Sequence, residues 1–211
     1  MNELAPFLPG FAAAYAILLV AASSPGPAVA MLLGIGLDRG RGPALFATAG
    51  IAVGSAVLNV GTLVGVGLIL REAAWAMTAL RLLGAAYLLW LSWRAFRTAA
   101  RGTELRAAAV PFRSNARCFA MGMLLQTTNP KAIVFWLAIA VVGATEGGGA
   151  LVVAAFVAGA FAISFACHAA WAVLLSSAPV RAAYARARRR VETVLGAFFA
   201  YAAVRMALYR P

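Results

Sequence analysis

The chain has 211 residues, of which 64% are hydrophobic and 11% are charged, and its mean hydropathy is +0.90. Water-soluble domains carry about 45–50% apolar and about 25% charged residues, so this composition excludes a soluble globular protein. The formal net charge of +12 would suggest nucleic-acid binding in a soluble chain, but here the arginines concentrate between apolar stretches. We therefore expect a membrane protein that does not bind nucleic acid.

Six apolar stretches are long enough to cross a membrane, for which a helix needs about 20 largely apolar residues. They cover residues 7–37, 43–70, 74–96, 118–145, 150–177 and 191–208. The loops between them are short, which predicts one polytopic all-α domain over residues 1–211. The start resembles a secretory signal, but signals begin with positive charge and the first charge here is Glu3, so we expect the first span to be retained.

The first span contains Pro25, Gly26 and Pro27. Proline removes a backbone N–H and clashes with the preceding helical turn. Backbone groups freed in lipid must be satisfied by protein or by a water-filled cavity. Ser24 is a suitable N-cap for a helix that restarts after this break. We expect two half-helices.

The second span reads "AGIAVGSAVLN" and places Asn59 one helical turn beyond Ser55. The third span contains "LGAAYLLWL". The fourth span is interrupted by Asn129 and Pro130, which suit the N-cap and the first position of a restarted helix. A helix that restarts inside the membrane presents free N–H groups and a positive dipole end.

Lys131 is the only lysine of the chain and follows this second break. A charge at the bilayer centre costs about 2.5–3.5 kcal/mol on insertion scales, so it normally faces a cavity or a partner. All six acids lie at or near the predicted span ends, so we expect the partner to be a substrate carboxylate, which Asn129 and free N–H groups would also bind. The alternative is that Lys131 snorkels to the interface.

The fifth span reads "AGAFAISFACH" and places His168, the only histidine, one turn beyond Ser164. An unperturbed imidazole titrates near pH 6.5, which suits proton exchange. An interhelical hydrogen bond is the alternative role. The sixth span contains "LGAFFAYAA".

Three pairs of segments are similar in the same order: the two proline motifs, the Ser55 and Ser164 segments, and the "LGAAYLLWL" and "LGAFFAYAA" segments. Three spans per half place the second half upside down, a plan common in secondary transporters. The pattern predicts a first repeat at about 1–97, a basic cytoplasmic loop at about 98–116, and a second repeat at about 117–211.

Alternate loops are basic, which is typical of the cytoplasmic side. The arginines of the odd-numbered loops are Arg39, Arg41, Arg97, Arg101, Arg106, Arg113, Arg117, Arg181, Arg186, Arg188, Arg189 and Arg190. The even-numbered loops contain Arg71, Glu72 and Glu146. We expect both termini on the periplasmic side.

These motifs together resemble the lysine/threonine exporter superfamily (LysE/RhtB type) over nearly the whole chain. That family has Pro-Gly-Pro in its first span, "GIA-x-G" in its second, "GAAYLLWL" in its third and Asn-Pro-Lys in its fourth. The resemblance implies a bacterial inner-membrane exporter of amino acids or related metabolites, driven by proton exchange. Members often have an acid where this chain has Ser55, and Asn where it has Ala28. Losing that acid removes the usual group for binding a substrate ammonium or a coupling proton.

An enzyme or a metal centre is not expected, because the chain has one histidine, no predicted mid-span acid, and two distant cysteines without metal-ligand spacing. We expect no cofactor, and the partners are a small-molecule substrate and the lipid bilayer. The sequence is compatible with a homo-oligomer. The alternatives to amino-acid export are export of another small organic anion and, less favoured, of a metal ion.

The sequence thus predicts an exporter that works by alternating access around the two breaks. The predicted substrate-binding residues are Ser24, Pro25, Gly26, Pro27, Asn129, Pro130 and Lys131, with Ser55, Asn59 and Ser164 as further lining residues and His168 for proton coupling.

Overall fold

A computed structural model describes residues 3–72, 74–101, 107–108, 114–142 and 144–208. Arg106, Arg113 and the side chains of Arg71 and Glu72 lie outside this description. In the described part the chain is all-helical. After a short 3₁₀ turn at Ala5–Phe7 come α1 (Leu8–Ser23), α2 (Pro27–Arg39), α3 (Arg41–Glu72), α4 (Ala74–Arg101), α5 (Asn115–Thr128), α6 (Pro130–Val141), α7 (Ala150–Leu174) and α8 (Ala178–Leu208).

Four helical segments of the described chain are long and apolar enough to cross a membrane: Ala5–Ser23, Arg41–Gly65, Ala150–Leu174 and Ala178–Leu208. The pair of α5 and α6, bent by 61° at its junction, counts as a fifth if it forms one span. The prediction of an all-α polytopic protein agrees with this. The predicted third span at 74–96 falls in α4, which is not among these segments, so the count of six remains a prediction.

The chain leaves helical geometry at both proline motifs. Ser24 and Gly26 are extended between α1 and α2, and Asn129 is extended between α5 and α6. The Asn129 side chain accepts a hydrogen bond of 3.1 Å from the Lys131 backbone N–H, which confirms the predicted N-cap of α6. Pro27 and Pro130 occupy the start of their helices, where the missing N–H is not needed.

The prediction that Ser24 caps the restarted helix was wrong. The N-cap position of α2 is Gly26, which has no side chain, so Ser24 lies two residues too early to reach the first turn. Ser24 instead ends α1, where its hydroxyl donates to the Ala21 carbonyl oxygen at 2.9 Å.

The predicted fifth loop was also wrong, because α8 begins at Ala178 and includes Arg181 to Arg190. Alanine and arginine are strong helix formers, and this segment contains little else. Only residues 175–177 connect α7 to α8. The predicted sixth span is the second half of this helix.

Small residues determine how closely the helices pack. The most extensive packing is between α3 and α5 and between α4 and α8. A Cβ atom added at Gly50 would lie 1.9 Å from the Phe119 carbonyl oxygen, and one at Gly122 would lie 2.1 Å from the Ala47 carbonyl oxygen. The α3 and α5 backbones therefore touch at glycines, as is common where helices pack in membranes. Helix α7 packs across α3 and α1.

Candidate functional site

The two proline interruptions lie side by side, and Lys131 joins them. Its ammonium donates to the Ser24 carbonyl oxygen at 2.9 Å and also bonds the Ser24 hydroxyl. A Cβ atom added at Gly26 would lie 3.6 Å from the same ammonium nitrogen. Lys131 therefore lies against Ser24 and Gly26, which precede it in the sequence by more than a hundred positions. The place where these two interruptions meet is called here the junction.

The position of Lys131 has a local electrostatic cause. Lys131 is the second residue of α6, where the positive end of the helix dipole disfavours a cation. The C-terminal end of α1, however, presents unpaired carbonyl groups with partial negative charge. The Lys131 ammonium bonds the carbonyl of Ser24, the residue that follows α1. The partial negative charge at the end of α1 therefore offsets the unfavourable position of this cation at the start of α6. Lys131 therefore has a partner within the protein, and its pairing with a substrate carboxylate stays a prediction.

A small cavity of about 40 Å³ lies beside this junction and is called here the serine-lined cavity. The predicted site residues that line it are Ser24, Gly26, Pro27, Ser55, Asn129, Lys131, Ser164 and His168. The structure therefore brings together residues from α3, α7 and both interruptions. Asn59 is buried but lines neither this cavity nor the second one described below.

A buried polar network forms the wall of the serine-lined cavity. The hydroxyl oxygens of Ser55 and Ser164 are 3.0 Å apart, and the Gln126 amide donates to Ser55 at 2.8 Å. His168 Nδ1 lies 2.8 Å from the Ser164 carbonyl oxygen. Because a carbonyl oxygen only accepts, Nδ1 carries hydrogen and Nε2 is the nitrogen left to exchange a proton. Sequence reasoning missed Gln126, although a glutamine within an apolar span, one turn before Asn129, is itself a signal.

Asn59 has an unusual environment. Its side chain is 1% exposed, and within the described residues neither its amide nitrogen nor its oxygen has a hydrogen-bond partner. Buried polar groups without partners are rare and costly. Asn59 lies one turn beyond Ser55 on α3 but is not among the residues that line the two cavities, so its role in substrate binding stays a prediction.

A second cavity of about 320 Å³ opens from the same junction and is called here the arginine-side cavity. It shares Ser24, Gly26, Pro27, Asn129 and Lys131 with the first and adds Pro25 and Pro130. Its other charged lining residues are Arg94 from α4 and Arg188 and Glu192 from α8, and Thr98 adds a hydroxyl. Tyr87, Trp90, Leu195 and Phe199 provide aromatic and apolar surface.

Glu192 corrects the expectation that no carboxylate lies near Lys131. It is 7% exposed and lines the arginine-side cavity together with Lys131. Its Oε1 lies 3.6 Å from Arg188 Nε, one helical turn earlier. Glu192 was assigned to a span end because α8 was expected to begin only at residue 191. The i, i+4 spacing of the two residues could have indicated a shared helix face.

No metal centre is evident in the part of the chain that the structure describes, where no three His, Cys, Asp or Glu side chains cluster. The polar side-chain groups that line the two cavities are amides, hydroxyls, two indoles, one imidazole, one carboxylate and three cationic groups. Such a set can bind a small charged metabolite through hydrogen bonds and ion pairs.

Comparison with known proteins identifies the family. The family model of the LysE type translocators matches residues 19–210. The threonine efflux protein of Salmonella typhi is 28% identical over 86% of this chain and 89% of its own length. The leucine efflux protein of Klebsiella pneumoniae is 31% identical over 54% of this chain and 53% of its own. The homoserine/homoserine lactone efflux protein of Salmonella typhimurium is 32% identical over 55% of each chain. No solved structure matches. The family model covers nearly the whole chain and confirms the resemblance seen in its motifs, so the chain belongs to the LysE type translocator family.

Proposed function

We propose that this multi-pass membrane protein exports amino acids or related small metabolites across the bacterial inner membrane by secondary-active transport. The observation that carries the proposal is the junction at Lys131, where two interrupted helices meet between two cavities. Relatives that are efflux proteins for threonine, leucine and homoserine support amino acids as the substrate class.

The substrate carboxylate binds at the junction in this proposal. Lys131 supplies the positive charge, Asn129 supplies its amide, and Ser24 orients the carboxylate. The first-turn N–H groups of α2 and α6 add donors at the positive ends of two helix dipoles. The backbone at the junction is kept out of helical geometry by Pro25, Gly26, Pro27 and Pro130, which leaves its polar groups free to bind the substrate. A substrate carboxylate that enters would replace the Ser24 carbonyl oxygen as the hydrogen-bond acceptor of the Lys131 ammonium.

Alternating access would operate around this junction. We infer six spans in two inverted repeats, with α1–α2 and α5–α6 each forming one broken span. Helix pairs that such a symmetry would relate, α3 with α7 and α4 with α8, do pack together. The arginine-side cavity would then face the cytoplasm, and the serine-lined cavity would widen when the protein opens to the periplasm. Asn59, buried one turn beyond Ser55, would gain its missing partners on that path.

Export of a small organic anion is the second candidate. One observation favours it: Lys131, Arg94 and Arg188 line the arginine-side cavity, against the single carboxylate of Glu192. A cavity with excess positive charge attracts anions. The screen described next therefore includes organic acids.

The test is an efflux assay of Lys131→Ala in cells loaded with each of the twenty amino acids or with small carboxylic acids. Truncating one partner of a buried charge pair costs about 2–5 kcal/mol, so we expect roughly 30-fold or more loss of efflux. Lys131→Arg should also be poor, because a planar guanidinium does not replace a compact ammonium in a tight site.

The matched control is Arg186→Ala, which removes an exposed positive charge from α8 and should export normally. All variants must accumulate in the membrane to wild-type amounts. Normal efflux by Lys131→Ala would remove the carboxylate site from the proposal.

A further inference from the structure

The arginine-side cavity contains a negative charge that the proposed carboxylate site does not use. Among the described residues that line either cavity, Glu192 is the only carboxylate. Ser55, which stands where members of the family often have an acid, is uncharged, and its hydroxyl is hydrogen-bonded to Ser164 and Gln126. Within the described lining of this cavity, the negative charge that could act on a substrate is therefore on α8.

Glu192 is only loosely paired. The 3.6 Å between its Oε1 and Arg188 Nε is longer than a hydrogen bond, and two nitrogens of Arg188 are buried without a hydrogen-bond partner in the described structure. Among the described residues, Arg188 is the charged donor beside this carboxylate, and at 3.6 Å it leaves Glu192 with capacity to accept a closer charge-assisted hydrogen bond. The pair is therefore an incomplete interaction.

Lys131 and Glu192 present opposite charges to one cavity. Both residues line this cavity, and the ammonium of Lys131 is hydrogen-bonded to Ser24. An α-amino acid carries a carboxylate and an ammonium on the same carbon, so it matches two separated, opposite charges that face the same space. A carboxylate without an amine would match only one of them.

We propose that Glu192 binds the substrate ammonium while Lys131 binds the substrate carboxylate, so that this cavity selects α-amino acids over carboxylates that lack the amine. The inference rests on the proposed export function and assigns its specificity to a residue of α8. The ammonium, with three donors, displaces the loosely placed Arg188 side chain from Glu192. The substrate side chain lies against Tyr87, Trp90 and Phe199. The volume of about 320 Å³ falls within the range of small-molecule sites, about 300–1,000 Å³.

The experiment compares two ligands that differ in one group. One is the amino acid that the wild-type protein exports fastest, and the other is its 2-hydroxy acid, in which a hydroxyl replaces the ammonium. Binding of both to purified protein is measured by titration calorimetry, and transport of both is measured in proteoliposomes. A buried charged hydrogen bond distinguishes such ligands on the order of tenfold or more in affinity, so the wild type should prefer the amino acid by that factor.

Glu192→Gln keeps the shape of the side chain and removes its charge, and it should reduce this preference to about one. Because the single variant leaves Arg188 buried without an anion, the double variant Arg188→Gln, Glu192→Gln is made as well, and the same loss of preference is expected. The control is Glu146→Gln, which removes the same charge from the exposed connection between α6 and α7 and should keep the wild-type preference.

The results separate this inference from the function on which it rests. If the wild type exports amino acids and both Glu192 variants still prefer the amino acid by the wild-type factor, Glu192 does not bind the ammonium. Equal binding of the two ligands by the wild type would also overturn the inference while leaving export intact. A wild type that exports no amino acid in the efflux screen overturns the proposed function, and this inference with it.

Discussion

Ser55, Gln126 and Ser164 come from α3, α5 and α7, and their side chains meet in one buried hydrogen-bonded network. Such networks are strongest when every member is satisfied, and they fix the relative positions of the elements that carry them. His168 extends this network through the Ser164 carbonyl oxygen. A proton taken up at Nε2 would therefore change a charge directly beside the contact between three helices, which connects protonation to helix packing.

The prediction at the scale of single residues concerns proton coupling. If export exchanges substrate for protons through His168, His168→Gln should retain downhill substrate movement and lose its dependence on an imposed pH gradient. Glutamine can still donate to the Ser164 carbonyl oxygen but does not titrate near neutral pH. The measurement is substrate accumulation in proteoliposomes with and without a pH gradient, with His168→Ala in parallel.

The outcome distinguishes two roles of the same residue. A glutamine variant that still concentrates substrate at the wild-type rate makes His168 a structural hydrogen-bond donor. Loss of function in His168→Ala with full function in His168→Gln points to the same conclusion.

At the scale of single helices, the interruptions were predictable and the extent of α8 was not. Proline at positions 25, 27 and 130 excludes a continuous helix for reasons that are local to each residue. Asn129 could be identified as an N-cap because its side chain accepts a hydrogen bond from a backbone N–H only two residues later, that of Lys131. The start of α8 was not predictable in the same way, because an arginine-rich segment can form either a loop or a helix. Hydropathy alone does not distinguish the two.

Helix α3 provides a matched test of packing, because two of its glycines have opposite surroundings. A Cβ atom at Gly50 would overlap the α5 backbone, whereas one at Gly61 would meet nothing within 4 Å. Gly50→Ala must separate α3 from α5 and disturb the Ser55–Gln126 hydrogen bond, which we expect to lower the melting temperature and the amount of membrane protein. Gly61→Ala should be neutral or slightly stabilising, since alanine is the better helix former.

The measurement is thermal unfolding of both purified variants in the same detergent, with expression compared in membranes. Overpacking typically costs about 1–3 kcal/mol. Equal stability of the two variants would contradict the close backbone contact at Gly50.

At the scale of the whole molecule, composition was sufficient to predict a polytopic helical membrane protein, and the motifs were sufficient to predict its family and two interrupted helices. They did not predict what the breaks contact. The pairing of Lys131 with the end of α1 and the position of Glu192 opposite to it depend on how α1, α6 and α8 come together in space. Contacts between distant segments follow from tertiary packing, and a single sequence carries little record of them. The two interruptions could therefore be located by sequence, while the charged groups around their junction could not.

The orientation of the molecule is the last prediction. The α6–α7 connection contains Glu146 as its one charged residue, whereas arginines surround Arg106 in sequence and fill the first part of α8. Because short cytoplasmic segments accumulate arginine and lysine, a reporter fused after Arg106 should read cytoplasmic and one fused after Gly148 should read periplasmic. A third fusion after Ser177, just before α8, should read cytoplasmic. Paired green fluorescent protein and alkaline phosphatase fusions measure the two sides independently. If the first two fusions read the opposite way, the arginine-side cavity faces the periplasm, and the proposed direction of substrate entry is reversed.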